Sequence, residues 1–188
     1  MPAPATPLTR LTHAISTLLL LLTALDTTLA CQHLPPCHTT FPWDSLNILR
    51  HVAPRPTRPC QPQRTLFPFP EDLLHTNQTQ QAAAIARHIL HNLFATFSSH
   101  SLPQHWNQQQ HQRLLNNIHH HSQQLQQCLQ DSHALSQGHA TRNTTRTINK
   151  YFSRIQHFLH AHNHSACAWD HVRLEARVSF QRLHNLTR

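Results

Sequence analysis

Histidine, which can bind metals and transfer protons, is abundant in this sequence, with 21 residues. His119–His121 is a consecutive run, and His157, His160 and His164 recur at spacings of three and four. On a helix such spacings place two imidazoles close enough to share a zinc ion. At about one residue in nine, however, histidine produces these spacings by chance, and no HExxH or Cys-x-x-Cys motif accompanies them. A histidine-rich metal-binding protein is therefore the weaker alternative, and we expect no metal or other cofactor.

Carboxylates, which catalysis by acid and base would need, are scarce. The chain has 7 Asp and Glu residues against 15 Lys and Arg. Those beyond residue 30 are Asp44, Glu71, Asp72, Asp131, Asp170 and Glu175. None lies in a motif that pairs a carboxylate with a histidine for hydrolysis. We interpret Asp170 and Glu175 as residues of a helix start or of a polar outer face, and the sequence predicts a protein that is not an enzyme.

The formal net charge of +8 reflects dispersed arginines and one lysine, Lys150. Nucleic-acid binding requires a basic face within a recognisable module, and the sequence has no such module. We therefore expect no nucleic-acid partner. A weak attraction to acidic glycans at a cell surface fits the charge better.

The N-terminal segment predicts a secretory route. Within residues 1–30, Arg10 supplies a positive charge, Leu18–Leu22 an apolar run and Thr28-Leu29-Ala30 a cleavage site, which together predict a signal peptide. An uncleaved membrane anchor is disfavoured, because the apolar run is shorter than the roughly 20 residues of a bilayer span. No other segment is apolar enough to span a membrane. We predict one secreted, extracellular domain over residues 31–188.

Secretion exposes the chain to disulfide formation and to glycosylation. The five cysteines are Cys31, Cys37, Cys60, Cys128 and Cys167. In an oxidising compartment we expect two bridges and one remaining cysteine. The Asn-x-Ser/Thr sequons are at Asn77, Asn143, Asn163 and Asn185. We expect at least two of these asparagines to carry a glycan and to face solvent.

The composition predicts long helices as the elements that position these residues. The chain has one glycine, Gly138, and all 13 prolines lie at or before Pro103. Sheet proteins of this size need many tight turns, which recruit glycine and proline. The proline-rich segment 54–76 instead predicts a long irregular crossover after a first helix.

Apolar residues at spacings of three and four predict five amphipathic helices. The first begins near Thr40, with Leu46, Leu49 and Val52 on one face. The others are expected at residues 79–98, 104–130, 144–161 and 166–185, with a loop at Asp131–Asn143. The inner stripe of the last consists of Trp169, Val172, Ala176, Phe180 and Leu183. Five such helices predict an all-α bundle, and the long first crossover favours the up-up-down-down cytokine type.

Several segments carry a resemblance to a known family. They are CAWDHVRLEARVSF at residues 167–180, CQHL at the start of the mature chain, FPFPEDLL at 67–74, QHW at 104–106, LLNNIHHHSQQLQQCL at 114–129 and INKYF at 148–152. The first resembles the start of the last helix of type I interferons, and the others resemble avian members. FPFPEDLL favours the beta-type branch. The resemblance covers nearly all of residues 31–186.

The resemblance implies two disulfides, which join Cys31 to Cys128 and Cys60 to Cys167. Cys37 has no counterpart. It also implies a monomeric antiviral cytokine that brings together the two chains of a cell-surface receptor, whose bound kinases then activate antiviral genes. The alternative is another helical cytokine acting on a different receptor.

The same resemblance implies where the receptor binds. One receptor chain meets the crossover and the last helix, and the other meets the second, third and fourth helices. Arg64 and Arg173 match arginines that contact the first chain in relatives. Leu174 and Arg177 lie on the same side of the last helix as Arg173 by helical spacing, so we include them in the expected site.

Overall fold

A computed structural model describes residues 41–53, 60, 67–76, 78–131 and 139–186. Within these residues it consists of five α-helices and one short 3-10 helix, and contains no strand. The α-helices are α1 (Phe41–Val52), α2 (Thr79–Phe97), α3 (Gln108–Asp131), α4 (His139–Ala161) and α5 (Ala166–Leu186), and the 3-10 helix is Glu71–Leu74. No helix in the described part of the chain is long and apolar enough to cross a membrane. The predicted signal peptide, 1–30, lies outside the described residues.

Two helix boundaries differ from the sequence prediction. α4 begins at His139 rather than at 144, so Asn143 lies in a helix and not in the predicted loop. The residues 139–143 are polar but include no glycine or proline, so nothing in their backbone opposes a helix. α3 begins at Gln108, because Asn107 Oδ1 accepts a hydrogen bond from the backbone N–H of Gln110 and caps the helix there.

Hydrogen bonds between helices establish the topology. They join Asn117 to Ser45, Asn107 to Val52, Gln126 to Arg87, His111 to Phe97, Asn149 to His88 and Gln156 to Thr96. Along both α1 and α2 the residue numbers rise while those of their partners near or in α3 fall. These two helices are therefore antiparallel to α3 and parallel to each other. The last two pairs make α4 parallel to α2. α5 is antiparallel to α4, since Glu175 contacts Tyr151 and His171 contacts Phe158. Helices α1, α2, α3 and α5 thus form the predicted up-up-down-down bundle, with α4 added beside α2.

The core is centred on the aromatic residues where α2 ends and α5 begins. Trp169 is fully buried, and its Nε1 donates a hydrogen bond of 2.7 Å to the carbonyl oxygen of Ser101. Its ring lies 6.3 Å from that of Phe97 and 5.5 Å from that of Trp106, between centroids. The predicted inner stripe of α5 is buried along its whole length, which confirms the helical periodicity.

A tight turn separates α4 from α5. Asn163 and His164 adopt positive φ values of 49° and 50°, a left-handed conformation that asparagine tolerates better than most residues. Ser165 then caps α5, because its Oγ accepts a hydrogen bond from the backbone N–H of Ala168 at 3.3 Å. The turn therefore reverses the chain and sets α5 against the core from its first residue.

The interpretation of Asp170 and Glu175 as outer-face residues is wrong, since both are buried. Tyr151 donates a hydrogen bond to Glu175, and Arg182 Nη1 lies 3.6 Å from Glu175 Oε1. Arg182 also pairs with Glu71 and stacks over the ring of Phe69, 4.2 Å from its centroid. Burial, reinforced by the hydrogen bond to Glu175, raises the pKa of Tyr151 above its ordinary range. Through these contacts α5 binds both α4, at Tyr151, and the segment before α2, at Phe69 and Glu71.

Tyr151→Phe should lower the free energy of unfolding by about 1 to 3 kcal/mol, because it leaves the buried Glu175 carboxyl without its hydroxyl donor. Urea denaturation measures the change. Ser153→Ala, an exposed position on the same helix, is the matched control and should change stability by less than about 0.5 kcal/mol. Equal stabilities for the two variants would contradict a structural role for this contact.

A disulfide between Cys60 and Cys167 joins the crossover to the first turn of α5, with the Cα atoms 5.6 Å apart and 107 residues apart in sequence. This is the pairing that the resemblance implied. Closing so long a loop restricts the unfolded chain, and the chain-entropy model assigns this restriction about 4 to 5 kcal/mol. The bond therefore stabilises the bundle and attaches Cys60 to α5.

The double variant Cys60→Ser, Cys167→Ser should lose several kcal/mol of unfolding free energy, on the order of 3 to 5. Urea denaturation would measure the loss, and non-reducing peptide mapping would identify the linked peptides. Cys37→Ser is the matched control, since the resemblance gives that cysteine no partner. A loss below about 1 kcal/mol in the double variant would show that the bridge does little for stability.

Candidate functional site

A groove runs between α1 and α5 on the surface of the bundle. It has a volume of about 280 Å³. Its walls come from both helices: Trp43, Leu46, Asn47, Leu49 and Arg50 from α1, and Arg173, Leu174, Arg177 and Gln181 from α5. The two helices are antiparallel here, so Trp43 lies toward the end of α5 and Arg50 toward its start.

Helix α1 presents a mixed polar and apolar face to the groove, because the opposite face is buried in the core. Ile48, Leu49 and Val52 are buried, and the buried Ser45 accepts a hydrogen bond from Asn117 of α3. These contacts fix the rotation of α1 about its axis. The residues at positions 43, 47 and 50, two helical turns in all, are then directed into the groove.

The groove contains large apolar side chains that face solvent. Trp43 is 59% exposed and Leu174 is 49% exposed, the two exposed large hydrophobic residues among the described positions. The indole of Trp43 contacts the ring of His184 edge-on, with centroids 5.5 Å apart. Exposed apolar groups of this size that line one groove are typical of surfaces that bind a partner.

Arg173 is held at the other end of the groove. Its Nε lies 3.4 Å from Asp170 Oδ1, and the two side chains are only 18% and 10% exposed. Within the described residues both atoms are buried, and they form this ion pair without an aligned hydrogen bond. Asp170 Oδ2 lies 3.9 Å from Cys60 Sγ. The disulfide, Asp170 and Arg173 are therefore adjacent.

The electrostatic character of the groove is positive. Its lining includes Arg50, Arg173 and Arg177 and no carboxylate. A guanidinium group donates hydrogen bonds in a fixed fork that matches a carboxylate. The groove is thus suited to a partner surface that combines carboxylates with apolar side chains, and it offers no group of acid–base or nucleophilic chemistry.

The structure brings together three of the four residues that the sequence analysis expected in a receptor site. Arg173, Leu174 and Arg177 all line the groove, whereas Arg64 lies outside the described residues. The sequence analysis missed the contribution of α1. Trp43 precedes Leu46 by three residues, so spacing alone did not separate it from the apolar stripe of its helix.

The remaining predicted sites are only partly described. Cys31 and Asn77 lie outside the described residues, and Cys128 is on α3 with its side chain not described, so the Cys31–Cys128 bridge stays a prediction. Asn143, Asn163 and Asn185 are all exposed. Their exposure is compatible with glycosylation at each sequon.

The histidines do not gather into a metal site in the part of the chain that is described. No group of three or more His, Cys, Asp or Glu side chains is arranged there to hold an ion. His160 and His164 do contact each other, with ring centroids 4.7 Å apart. A pair is fewer than the three or four ligands that protein zinc sites use.

Comparison with known proteins identifies the family. The interferon alpha/beta domain matches residues 34–188. The chain is 44% identical to the interferon of Meleagris gallopavo, covering 100% of this chain and 98% of that protein. It is 45% identical to interferon type B of Gallus gallus, covering 90% of this chain and 83% of that protein. It is also 45% identical to interferon type A1/A2 of Gallus gallus, covering 100% and 97%.

Solved structures agree on the fold. Zebrafish interferon 2 superimposes with a TM-score of 0.66 at 19% identity, covering 78% of this chain and 96% of that one. The chain is 45% identical to both the type A1/A2 and the type B protein of Gallus gallus. Sequence identity therefore does not separate the beta-type branch from the other. The chain therefore belongs to the interferon alpha/beta family and is a type I interferon cytokine, not an enzyme.

Proposed function

We propose that this interferon is a secreted, monomeric antiviral cytokine whose α1/α5 groove binds one chain of a two-chain cell-surface receptor. The observation that carries the proposal is the coincidence, in one groove, of the exposed Trp43 and Leu174 with three arginines. Tryptophan and arginine are the residues most enriched at the energetic centres of protein interfaces. Their combination here favours a protein partner over a small molecule.

The crossover contributes to the same site in this proposal. Arg64 follows Cys60 by four residues, and the disulfide attaches Cys60 to α5 one turn and a half before Arg173. Four residues span at most roughly 14 Å, which limits how far Arg64 can be from Cys60. The receptor chain that binds Arg173 would therefore be within reach of Arg64.

The second receptor chain would bind the face formed by α2, α3 and α4. The packing of the helices supports this proposal. α4 packs against α2 and α5, whereas α1 packs against α3 and α5. The groove and the face proposed for the second receptor chain are therefore formed by different helices. Two receptor chains could then bind one monomer together. Their association would activate the kinases on their inner segments and so the transcription of antiviral genes.

The secretory part of the proposal rests on the predicted signal peptide, 1–30, and on the exposed sequons. Asn143, Asn163 and Asn185 are accessible to glycosylation, and none of them lines the groove. Cleavage after Ala30 would release residues 31–188 as the active cytokine.

Replacing Trp43, Arg64, Arg173 or Leu174 with alanine should each weaken binding of one receptor chain by about 1 to 2 kcal/mol, roughly a tenfold loss of affinity. Arg177→Ala should have a smaller effect, because this arginine is exposed and its charge is screened by water and salt. Surface plasmon resonance with each receptor ectodomain measures the change. Arg113→Ala, an exposed arginine on α3, is the control and should leave the affinity of that chain unchanged. Normal affinity in all the groove variants would show that the receptor binds elsewhere.

Purified residues 31–188 should induce antiviral genes in avian cells, and a blocking antibody against the receptor should abolish the induction. Transcript levels measure the response, and the Trp43→Ala, Arg173→Ala double variant serves as the matched control. Induction that persists under receptor blockade would support a helical cytokine acting on a different receptor.

A further inference from the structure

The middle of the chain is almost free of acidic residues. Between Thr79 and Trp169, a segment that includes α2, α3 and α4, the sequence contains one carboxylate, Asp131. The same segment contains the only lysine of the chain and several arginines. Any cluster of cations on these helices therefore has almost no acidic side chain on the same three helices to neutralise it.

Helix α4 carries such a cluster. Arg142, Arg146, Lys150 and Arg154 follow one another at intervals of four residues, and all four are exposed. We call this set the cationic ridge. Residues four apart are neighbours on a helix surface, so the ridge is continuous, with steps of about 6 Å and a total length of roughly 18 Å along the axis.

The ridge lies on the side of α4 that faces away from the core. The buried residues of the helix are Ile148, Tyr151, Phe152, Ile155 and Leu159. At 100° per residue the ridge positions are centred opposite these, on the outermost face. The exposed residues beside the ridge include Asn143, Asn149, Ser153, His157 and His160, and none of them is a large apolar side chain.

No intramolecular contact accounts for the ridge. In the described part of the chain, no carboxylate lies within ion-pair distance of any of its four cations. Like charges at intervals of four destabilise a helix by a few tenths of a kcal/mol per pair. The repulsion between these cations therefore slightly destabilises the helix in the isolated protein. An anionic partner would interact favourably with the same cations.

We propose that the cationic ridge binds a sulfated polysaccharide chain of the cell surface. A linear polymer with regularly repeated sulfates matches a linear row of cations, and guanidinium groups pair with such oxyanions through paired hydrogen bonds. A protein partner would need apolar anchors of the kind present in the groove and absent here. Attraction to a membrane by charge alone needs the anionic lipids of the cytoplasmic leaflet, which a secreted protein does not meet.

The ridge and the groove are formed by different helices, α4 in one case and α1 with α5 in the other. A polysaccharide on the ridge therefore leaves Trp43 and Arg173 accessible. Electrostatic capture of this kind raises the local concentration of a ligand and falls with ionic strength. The interaction would hold the cytokine at the cell surface without occupying the groove.

The test measures binding of a heparin oligosaccharide to residues 31–188 by surface plasmon resonance at several salt concentrations. All proteins carry Asn143→Gln, because a glycan at that sequon would stand beside Arg142 and Arg146. The triple variant Arg146→Gln, Lys150→Gln, Arg154→Gln should bind at least tenfold more weakly, with a salt dependence reduced by roughly the three charges removed. Chemically desulfated oligosaccharide should not bind the parent protein.

Single variants separate a defined site from general positive charge. Arg146→Gln should lower the affinity severalfold, whereas Arg113→Gln, an exposed arginine on α3 with the same change in net charge, should lower it less than twofold. Equal losses in these two variants, or a triple variant within twofold of the parent, would overturn the proposal. Circular dichroism and unchanged affinity for the receptor chain that binds the groove establish that the triple variant is folded.

The remaining outcome concerns the second receptor chain. If the triple variant kept its affinity for heparin and lost its affinity for that chain, the ridge would be a protein contact and the proposal would fall. This result is distinguishable from a failure of the groove assignment, because the groove variants and the ridge variants share no residue.

Discussion

The attachment of α5 to the rest of the bundle is the constraint on which the other features depend. Trp169 is buried at its start and hydrogen-bonded to Ser101, and the adjacent Cys167 is bonded to the crossover. Two turns later, the buried Glu175 receives the hydroxyl of Tyr151. With one face of α5 fixed by these contacts, the opposite face cannot rotate, and Arg173 stays beside α1. The geometry of the groove is therefore a consequence of core packing.

Two surfaces of different physical character result from this arrangement. The groove combines the exposed Trp43 and Leu174 with guanidinium groups, so a partner can gain both from removal of apolar area from water and from directional pairing. The ridge on α4 has charge alone, and its interactions are long-range and sensitive to salt. Only the first combination provides the localised energetic centre expected of a specific protein interface. The second is suited to a repetitive polyanion.

The sequence predicted the helices because apolar periodicity and core burial have the same physical origin, and the inner stripe of α5 was correct at every residue. It did not predict the burial of Glu175, because its partners Tyr151 and Arg182 lie 24 residues before it and two turns after it, and only the fold brings them together. The extra turn of α4 was missed since polar residues without glycine or proline fit loop and helix alike. The receptor residues on α5 came from family resemblance, whereas the role of α1 required the packing of two helices. Neither the receptor residues on α5 nor the role of α1 could be predicted from composition.

The most direct test of this account is hydrogen–deuterium exchange of residues 31–188, free and bound to each receptor ectodomain in turn. We expect one receptor chain to slow exchange in α1 over residues 43–50 and in α5 over residues 170–181 together, while α4 is unaffected by that chain. Protection of α5 without α1, or of neither helix by either chain, would contradict the claim that the two helices form one docking surface.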